Sequence, residues 1–127
     1  MKVINTTKAP VAIGPYSQAI VANGLLFTSG QIPVDPTTGL VVEGGIESQA
    51  RMVMENLKAV LLEADVDFSA VVKTTCFISS MDDFAAFNSV YSQYFTSDAK
   101  PARSCVAVKT LPKNALCEVE AIAVLGA

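Results

Sequence analysis

Between Ile46 and Ala64 the apolar residues recur at helical spacing. Ile46, Ala50, Val53, Leu57, Val60, Leu61 and Ala64 fall on one face, and Glu47, Arg51, Glu55 and Lys58 fall on the other. A helix of this length with a continuous apolar stripe is stable only when that stripe is buried against a second layer. The remaining apolar segments are short, rich in β-branched residues and separated by Gly and Pro, so the second layer is a sheet. Val3–Asn5 reads as a short first strand. Gln18–Ala22 and Leu25–Ser29 read as a hairpin closed by Asn23-Gly24, a dipeptide that tolerates positive φ at both positions. Gln31–Gly45 holds Pro33, Pro36, Gly39, Gly44 and Gly45 and reads as loop, with one extended piece at Leu40–Val42. Val71–Ile78 is a strand. Ser80 caps a second helix, Met81–Phe95, with Asp82 and Asp83 near its positive end. Ser104–Val108 and Leu116–Leu125 are the last strands. Strands, helix, strand, helix, strands is the order of an α+β fold with both helices on one face of the sheet.

The 127 residues form one domain, 1–127, with no internal repeat or linker. Hydrophobic residues make up 51% and charged residues 17%, which is rich in apolar surface for one small domain and points to association with copies of itself. The net charge of −3, with Lys and Arg scattered, disfavours nucleic-acid binding through phosphates. The absence of histidine removes imidazole acid–base chemistry, Ser-His and Cys-His nucleophiles and His-ligated metals. Cys76, Cys105 and Cys117 form no CxxC pair, so neither a zinc site nor a disulfide framework is expected, and free thiols fit a cytoplasmic location. The longest uncharged run, Ala9–Val34, is interrupted by Pro and Gly and cannot be a membrane helix. Residues 1–8 lack an apolar signal region.

Two arginines are present. Arg51 lies one helical turn from Glu47 and Glu55 and reads as a solvated ion pair. Arg103 heads an apolar strand with no acid beside it. It is either an edge charge pointing into water or a guanidinium fork awaiting a carboxylate. Glu118 and Glu120 alternate on the last strand. Glu118 reads as facing solvent, and Glu120, at the edge of an apolar stretch, as partly buried and able to manage a water or a proton. If the last two strands pair as an antiparallel hairpin about Pro112-Lys113, Cys105 falls opposite Glu120, and Arg103, Cys105 and Glu120 converge. Tyr16, Ser29, Gly30 and Asn88 each have an ordinary turn or surface reading when taken singly.

Together these pieces resemble the Rid family, the YjgF-type reactive imine/enamine deaminases. The resemblance is carried by Ile13-Gly14-Pro15-Tyr16-Ser17-Gln18, Thr28-Ser29-Gly30-Gln31-Ile32-Pro33, Gln49-Ala50-Arg51, Val72-Lys73-Thr74-Thr75, Asp83-Phe84, Pro101-Ala102-Arg103-Ser104-Cys105-Val106, Leu111-Pro112-Lys113 and Glu118-Val119-Glu120-Ala121-Ile122-Ala123. Cys117 departs from the family's usual aliphatic residue. The resemblance implies a chorismate-mutase-like fold, a homotrimer with a central barrel, and sites in the clefts between subunits. It implies hydrolysis of 2-imino and 2-enamino acids to 2-oxoacids and ammonia without metal or cofactor. Arg103 would hold the substrate carboxylate and Glu120 would activate water. Tyr16, Ser29, Gly30, Asn88 and Cys105 would line the pocket. The alternatives are a non-catalytic module that senses a 2-oxoacid, and an endoribonuclease or translation inhibitor.

Overall fold

The computed structural model describes residues 1–126. Six strands, β1 (Lys2–Ile4), β2 (Ala19–Ala22), β3 (Leu25–Thr28), β4 (Val71–Ile78), β5 (Ala102–Ala107) and β6 (Cys117–Val124), form one mixed sheet in the order β1-β2-β3-β6-β4-β5. Two helices, α1 (Ile46–Glu63) and α2 (Phe84–Ser92), cover one face of it. The α+β class follows as the sequence predicts. Among the described residues no helix is long and apolar enough to cross a membrane.

Each helix meets the sheet through the residues its spacing dictates. Ala50, Val53, Leu57, Val60 and Leu61 of α1, with Phe87, Val90 and Tyr91 of α2, pack on Leu26, Thr74, Cys76, Ile78, Cys117, Val119, Ala121 and Ala123. Strand alternation assigns those sheet residues to one face. The hairpin turn has Asn23 and Gly24 at φ 52° and 72°, as its composition requires. The loop after β3 lies against α1 because Asn56 Nδ2, fully buried, donates to the carbonyls of Ile32 (3.0 Å) and Val34 (2.9 Å). The Leu40–Val42 piece is extended at Val41, which bridges Val34. The second helix is shorter than its apolar pattern suggests. Ser80 Oγ caps a 3₁₀ turn, Met81–Asp83, and the α-helix proper begins at Phe84 and ends at Ser92.

Two expectations are corrected. The first concerns the last two strands, which are not neighbours. β5 pairs in parallel with β4, Arg103 beside Thr74 and Cys105 beside Cys76, while β6 pairs antiparallel with the other edge of β4, Ala121 beside Thr74 and Glu120 beside Thr75. The connection from Val108 to Leu116 is long enough to pass over the end of β4. Val108 N–H donates to the Ile78 carbonyl at 2.9 Å, and Ser79 N–H to the Leu116 carbonyl at 3.0 Å. Cys105 is therefore opposite Cys76, and Glu120 shares its row with Thr75 and Ser104. Arg103 and Cys105 point to the helix-covered face and Glu120 to the open face, so the three do not converge within one chain.

The second correction concerns Arg51. It donates to Gln93 Oε1 at 2.8 Å and to Tyr94 Oη at 3.3 Å, and Tyr94 Oη in turn donates to Glu55 at 2.7 Å. The long, exposed side chain reaches across to the residues after α2 instead of pairing along its own helix.

Candidate functional site

β5 is the sheet edge, and Arg103 leans from it towards α2. One guanidinium nitrogen donates to Asn88 Oδ1 at 2.7 Å. The guanidinium carbon lies 4.8 Å from the centre of the Tyr91 ring and 5.5 Å from that of Phe84. Tyr91 is itself fixed, its hydroxyl 2.8 Å from the Thr74 hydroxyl in the core. Phe84, Asn88 and Tyr91 lie at i, i+4 and i+7 spacing on α2 and meet the strand as one surface. Arg103 is half-buried on a neutral amide and two aromatic faces, and among the described residues no carboxylate neutralises it. The remaining donors of its planar fork are suited to a bidentate anion. Cys105 shares this face. Burial raises its thiol above the ordinary value and Arg103 offsets part of that rise, so it is a neutral thiol rather than a nucleophilic thiolate.

The other candidate residues gather on the far side of β4 and β6. Phe27 lies opposite Ile122 and Gln31 opposite Val119, so the chain takes one more step along 27–31 than along 119–122. The extra residue makes a β-bulge at Ser29-Gly30, opposite Glu120 in backbone register and with the Glu118 side chain against Gly30. Ser29 anchors it: its Oγ donates to the Ser17 carbonyl at 2.5 Å and its N–H to the Gln18 carbonyl at 2.8 Å. Thr28 Oγ1 accepts from the Ala121 N–H at 3.0 Å. Tyr16 is half exposed, with its hydroxyl accepting from the Ile13 N–H at 3.4 Å. Tyr16 and Gly30 share a hollow of about 370 Å³ with Ile13, Ile32, Pro36 and Pro112.

The two glutamates are the reverse of the sequence expectation. Glu120 is exposed, whereas Glu118 is half-buried. Burial first, and the charge of Glu120 second, raise the Glu118 carboxyl above the usual carboxylate value. The alternation rule assigned both residues to one face correctly. It missed that the bulge would cover Glu118 and leave Glu120 in the open. Tyr91 and Phe84, the bed beneath Arg103, were also missed, because their helical spacing reads as core. The signal available was the placement of Asn88 between them.

One chain thus holds two separate groups: an anion-ready Arg103 with Asn88 and Cys105 on the edge strand, and Ser29, Gly30 and Tyr16 about the bulge, where the carboxylate against Gly30 is that of Glu118 and Glu120 is exposed on the same face of β6. The uncovered face of the sheet carries exposed apolar residues, among them Val3, Phe27, Val106 and Val124.

The endoribonuclease L-PSP family matches residues 6–125. A RutC family protein of Synechocystis is 54% identical over 126 residues, covering 98% of this chain and 97% of the relative. The human protein named 2-iminobutanoate/2-iminopropanoate deaminase is 44% identical over 125 residues, covering 98% of this chain and 90% of that protein. Among solved structures, a protein of the conserved Rid family from Yersinia pestis superposes with a TM-score of 0.95 at 51% identity, covering 98% of each chain. TdcF of E. coli, crystallised with bound serine, gives 0.93 at 44% identity, covering 99% of this chain and 100% of the other. Motifs, fold and end-to-end similarity agree, and the chain belongs to the endoribonuclease L-PSP family, the YjgF/Rid family of its sequence motifs.

Proposed function

We propose that the protein is a hydrolytic deaminase that converts reactive 2-imino and 2-enamino acids, such as 2-iminopropanoate and 2-iminobutanoate, to 2-oxoacids and ammonia. The observation that carries the reading is Arg103. A half-buried guanidinium held by Asn88 Oδ1 and resting on Tyr91 and Phe84 is a preorganised receptor for a small carboxylate. Mammalian relatives named 2-iminobutanoate/2-iminopropanoate deaminase support this reaction. The serine bound in the crystal structure of TdcF, a similar protein, supports a small amino-acid-like ligand.

The site is completed between copies of the chain. Arg103 sits at an edge strand and Glu120 on the open face, so a second protomer laid against that edge supplies what the first lacks. The exposed apolar residues of the open face give such copies a reason to associate, in a homotrimer whose sheets enclose a barrel.

In the reaction, Arg103 clamps the carboxylate and orients the imine carbon. Glu120 takes a proton from water as the water oxygen bonds to that carbon and the C=N electron pair moves to nitrogen. The proton is returned to nitrogen, and the C–N bond then breaks and ammonia leaves as the added hydroxyl gives its remaining proton to Glu120 and the C=O bond forms. A protonated imine is already electrophilic, so orientation and one base are sufficient.

The test is a coupled assay in which an amino-acid oxidase or a PLP-dependent dehydratase releases the imine and ammonia is followed. The protein should accelerate ammonia release, and Arg103→Ala should abolish the acceleration while circular dichroism stays unchanged. Equal rates with and without the protein overturn the reading. Glu120→Gln separates catalysis from sensing: a sensing module keeps 2-oxoacid binding and never shows turnover. The family's description also names an endoribonuclease. With nine basic residues against twelve acidic ones, the chain should show no salt-dependent RNA binding.

A further inference from the structure

Thr74, Cys76 and Ile78 are the residues of β4 that face the helices, and Thr74 is the polar one among them. It lies in the middle of the sheet, with Arg103 beside it on β5 and Ala121 beside it on β6. Its side chain is fully buried, and its hydroxyl is 2.8 Å from the hydroxyl of Tyr91, which is buried too. A valine would fill the same volume without a polar atom, so packing alone gives no reason for threonine here. The pairing of the two hydroxyls is what makes their burial tolerable.

Tyr91 has three kinds of neighbour. Its ring lies against Phe95, with centroids 4.6 Å apart, and against Phe87 at 5.9 Å, both from the same stretch of chain. Its face carries the Arg103 guanidinium carbon 4.8 Å from the ring centre. Its hydroxyl meets Thr74. The ring comes from α2 and the arginine from β5, so their stacking depends on how α2 sits over the sheet. Among the described residues two side-chain hydrogen bonds tie α2 to the sheet, that of Asn88 with Arg103 and that of Tyr91 with Thr74. The first belongs to the clamp itself. The second anchors the ring to the strand beside the clamp, and it restrains a side-chain torsion that is otherwise soft.

We propose that Thr74 is a positioning residue for the carboxylate clamp: through the Tyr91 hydroxyl it fixes the ring on which the Arg103 guanidinium rests, and so sets the affinity for a carboxylate that it never touches. The substrate in this role rests on the deaminase reading. When the hydroxyl pair is lost, the ring is held by packing alone and the guanidinium samples more orientations. A two-pronged bond to a carboxylate then requires more ordering on binding. The chemistry at the imine carbon of a bound substrate is unchanged, so the loss falls on KM and not on kcat.

The experiment compares wild type, Tyr91→Phe, Thr74→Val, the double variant and Thr74→Ser. It measures KM and kcat for 2-iminobutanoate in the coupled assay, Kd for 2-oxobutanoate by calorimetry, and melting temperature. Tyr91→Phe keeps the ring and Thr74→Val keeps the volume, yet each should raise KM and Kd about three- to tenfold. The double variant should be no worse than the singles, because both delete the same interaction. Thr74→Ser keeps the hydroxyl and should stay within about twofold of wild type in KM and Kd whatever its melting temperature, which a purely structural role would not predict. The proposal is overturned if Tyr91→Phe binds as wild type does, if the two single losses multiply in the double variant, or if Thr74→Ser binds as poorly as Thr74→Val. Should Thr74→Val fail to fold, Tyr91→Phe and Thr74→Ser decide the matter on the same criteria. A wild type that binds 2-oxobutanoate and hydrolyses no imine removes the deaminase reading instead, and the Kd comparison still decides the role of Thr74.

Discussion

Arg103 owes its usefulness to what surrounds it more than to its charge. Its fork is held at one nitrogen by Asn88 and supported from beneath by Tyr91 and Phe84, which limits its rotamers without neutralising it. A lysine at the same position keeps the charge and loses the planar fork and the stacking. Arg103→Lys should therefore raise KM for an iminoacid roughly 10–100-fold with little change in melting temperature. Steady-state kinetics beside a thermal melt checks this, and a KM within twofold of wild type means that plain charge suffices. Asn88→Ala should raise KM more than it lowers kcat, since the amide orients the clamp and does not touch the scissile bond. At this scale the sequence was informative wherever a residue was out of keeping with its segment. Arg103 on an apolar strand and Glu120 before an uncharged stretch both stood out. Tyr91 did not, because an aromatic at helical spacing looks the same whether it fills a core or lies under a guanidinium. Glu118 did not, because its housing depends on a bulge contributed by a segment about ninety residues away.

At the scale of elements, existence and type were legible and adjacency was not. The period of α1 and the β-branched run of β4 are local properties of the chain, and the structure keeps both. Which strand lies beside which is decided by crossovers. The α2 crossover carries β5 to the outside of β4, and β6 then fills the space between β4 and β3. Nothing in the nine residues from Val108 to Leu116 distinguishes a hairpin turn from a passage over a strand end. Buried polar groups tie these elements together. Asn56 holds the Ile32–Val34 segment to α1, and Gln49 Oε1 accepts from the Leu116 N–H at 2.8 Å. Asn56→Ala orphans the buried Val34 carbonyl and the half-buried Ile32 carbonyl and should destabilise the fold by about 1–3 kcal/mol. Urea unfolding measures it, and an unchanged midpoint would mean that the loop is held by other contacts. The core thiols make a second, pH-dependent prediction. Burial pushes Cys76 and Cys117 from the ordinary thiol value of 9.0 up to about 12. Unfolded thiols lose their protons first, so the stability these groups contribute is complete below pH 9 and is lost as the pH rises towards 12. Melting temperature should fall over that interval, and Cys117→Val should make the fall shallower; identical slopes would mean that other groups govern alkaline unfolding.

At the scale of the whole molecule, the chain has Arg103 on its edge strand, Glu120 on the other side of the sheet, and one uncovered face. A sheet with apolar residues such as Phe27 and Val106 exposed on its helix-free side lowers its free energy by covering them, and a copy of the same chain provides a matching apolar surface. Under the proposed deaminase reading, with Arg103 on the edge strand and Glu120 on the open face, association would be a condition of activity as well as of stability. If each site draws Arg103 from one protomer and Glu120 from the next, two inactive variants must rescue one another. Take Arg103→Ala and Glu120→Ala, each without turnover alone, unfold them together and refold them as a mixture. In a ring of three, every mixed assembly contains one junction at which an intact Arg103 meets an intact Glu120. Random mixing at equal amounts should then restore roughly one quarter of wild-type activity. Mixing the two variants without unfolding, so that subunits do not exchange, should restore none. Sites contained within single chains predict no recovery under either condition, because each protomer keeps its own defect. A refolded mixture that stays inactive while forming native-sized oligomers would therefore assign the whole site to one chain, and would mean that Glu120 supports turnover in some way other than meeting Arg103 at a subunit junction.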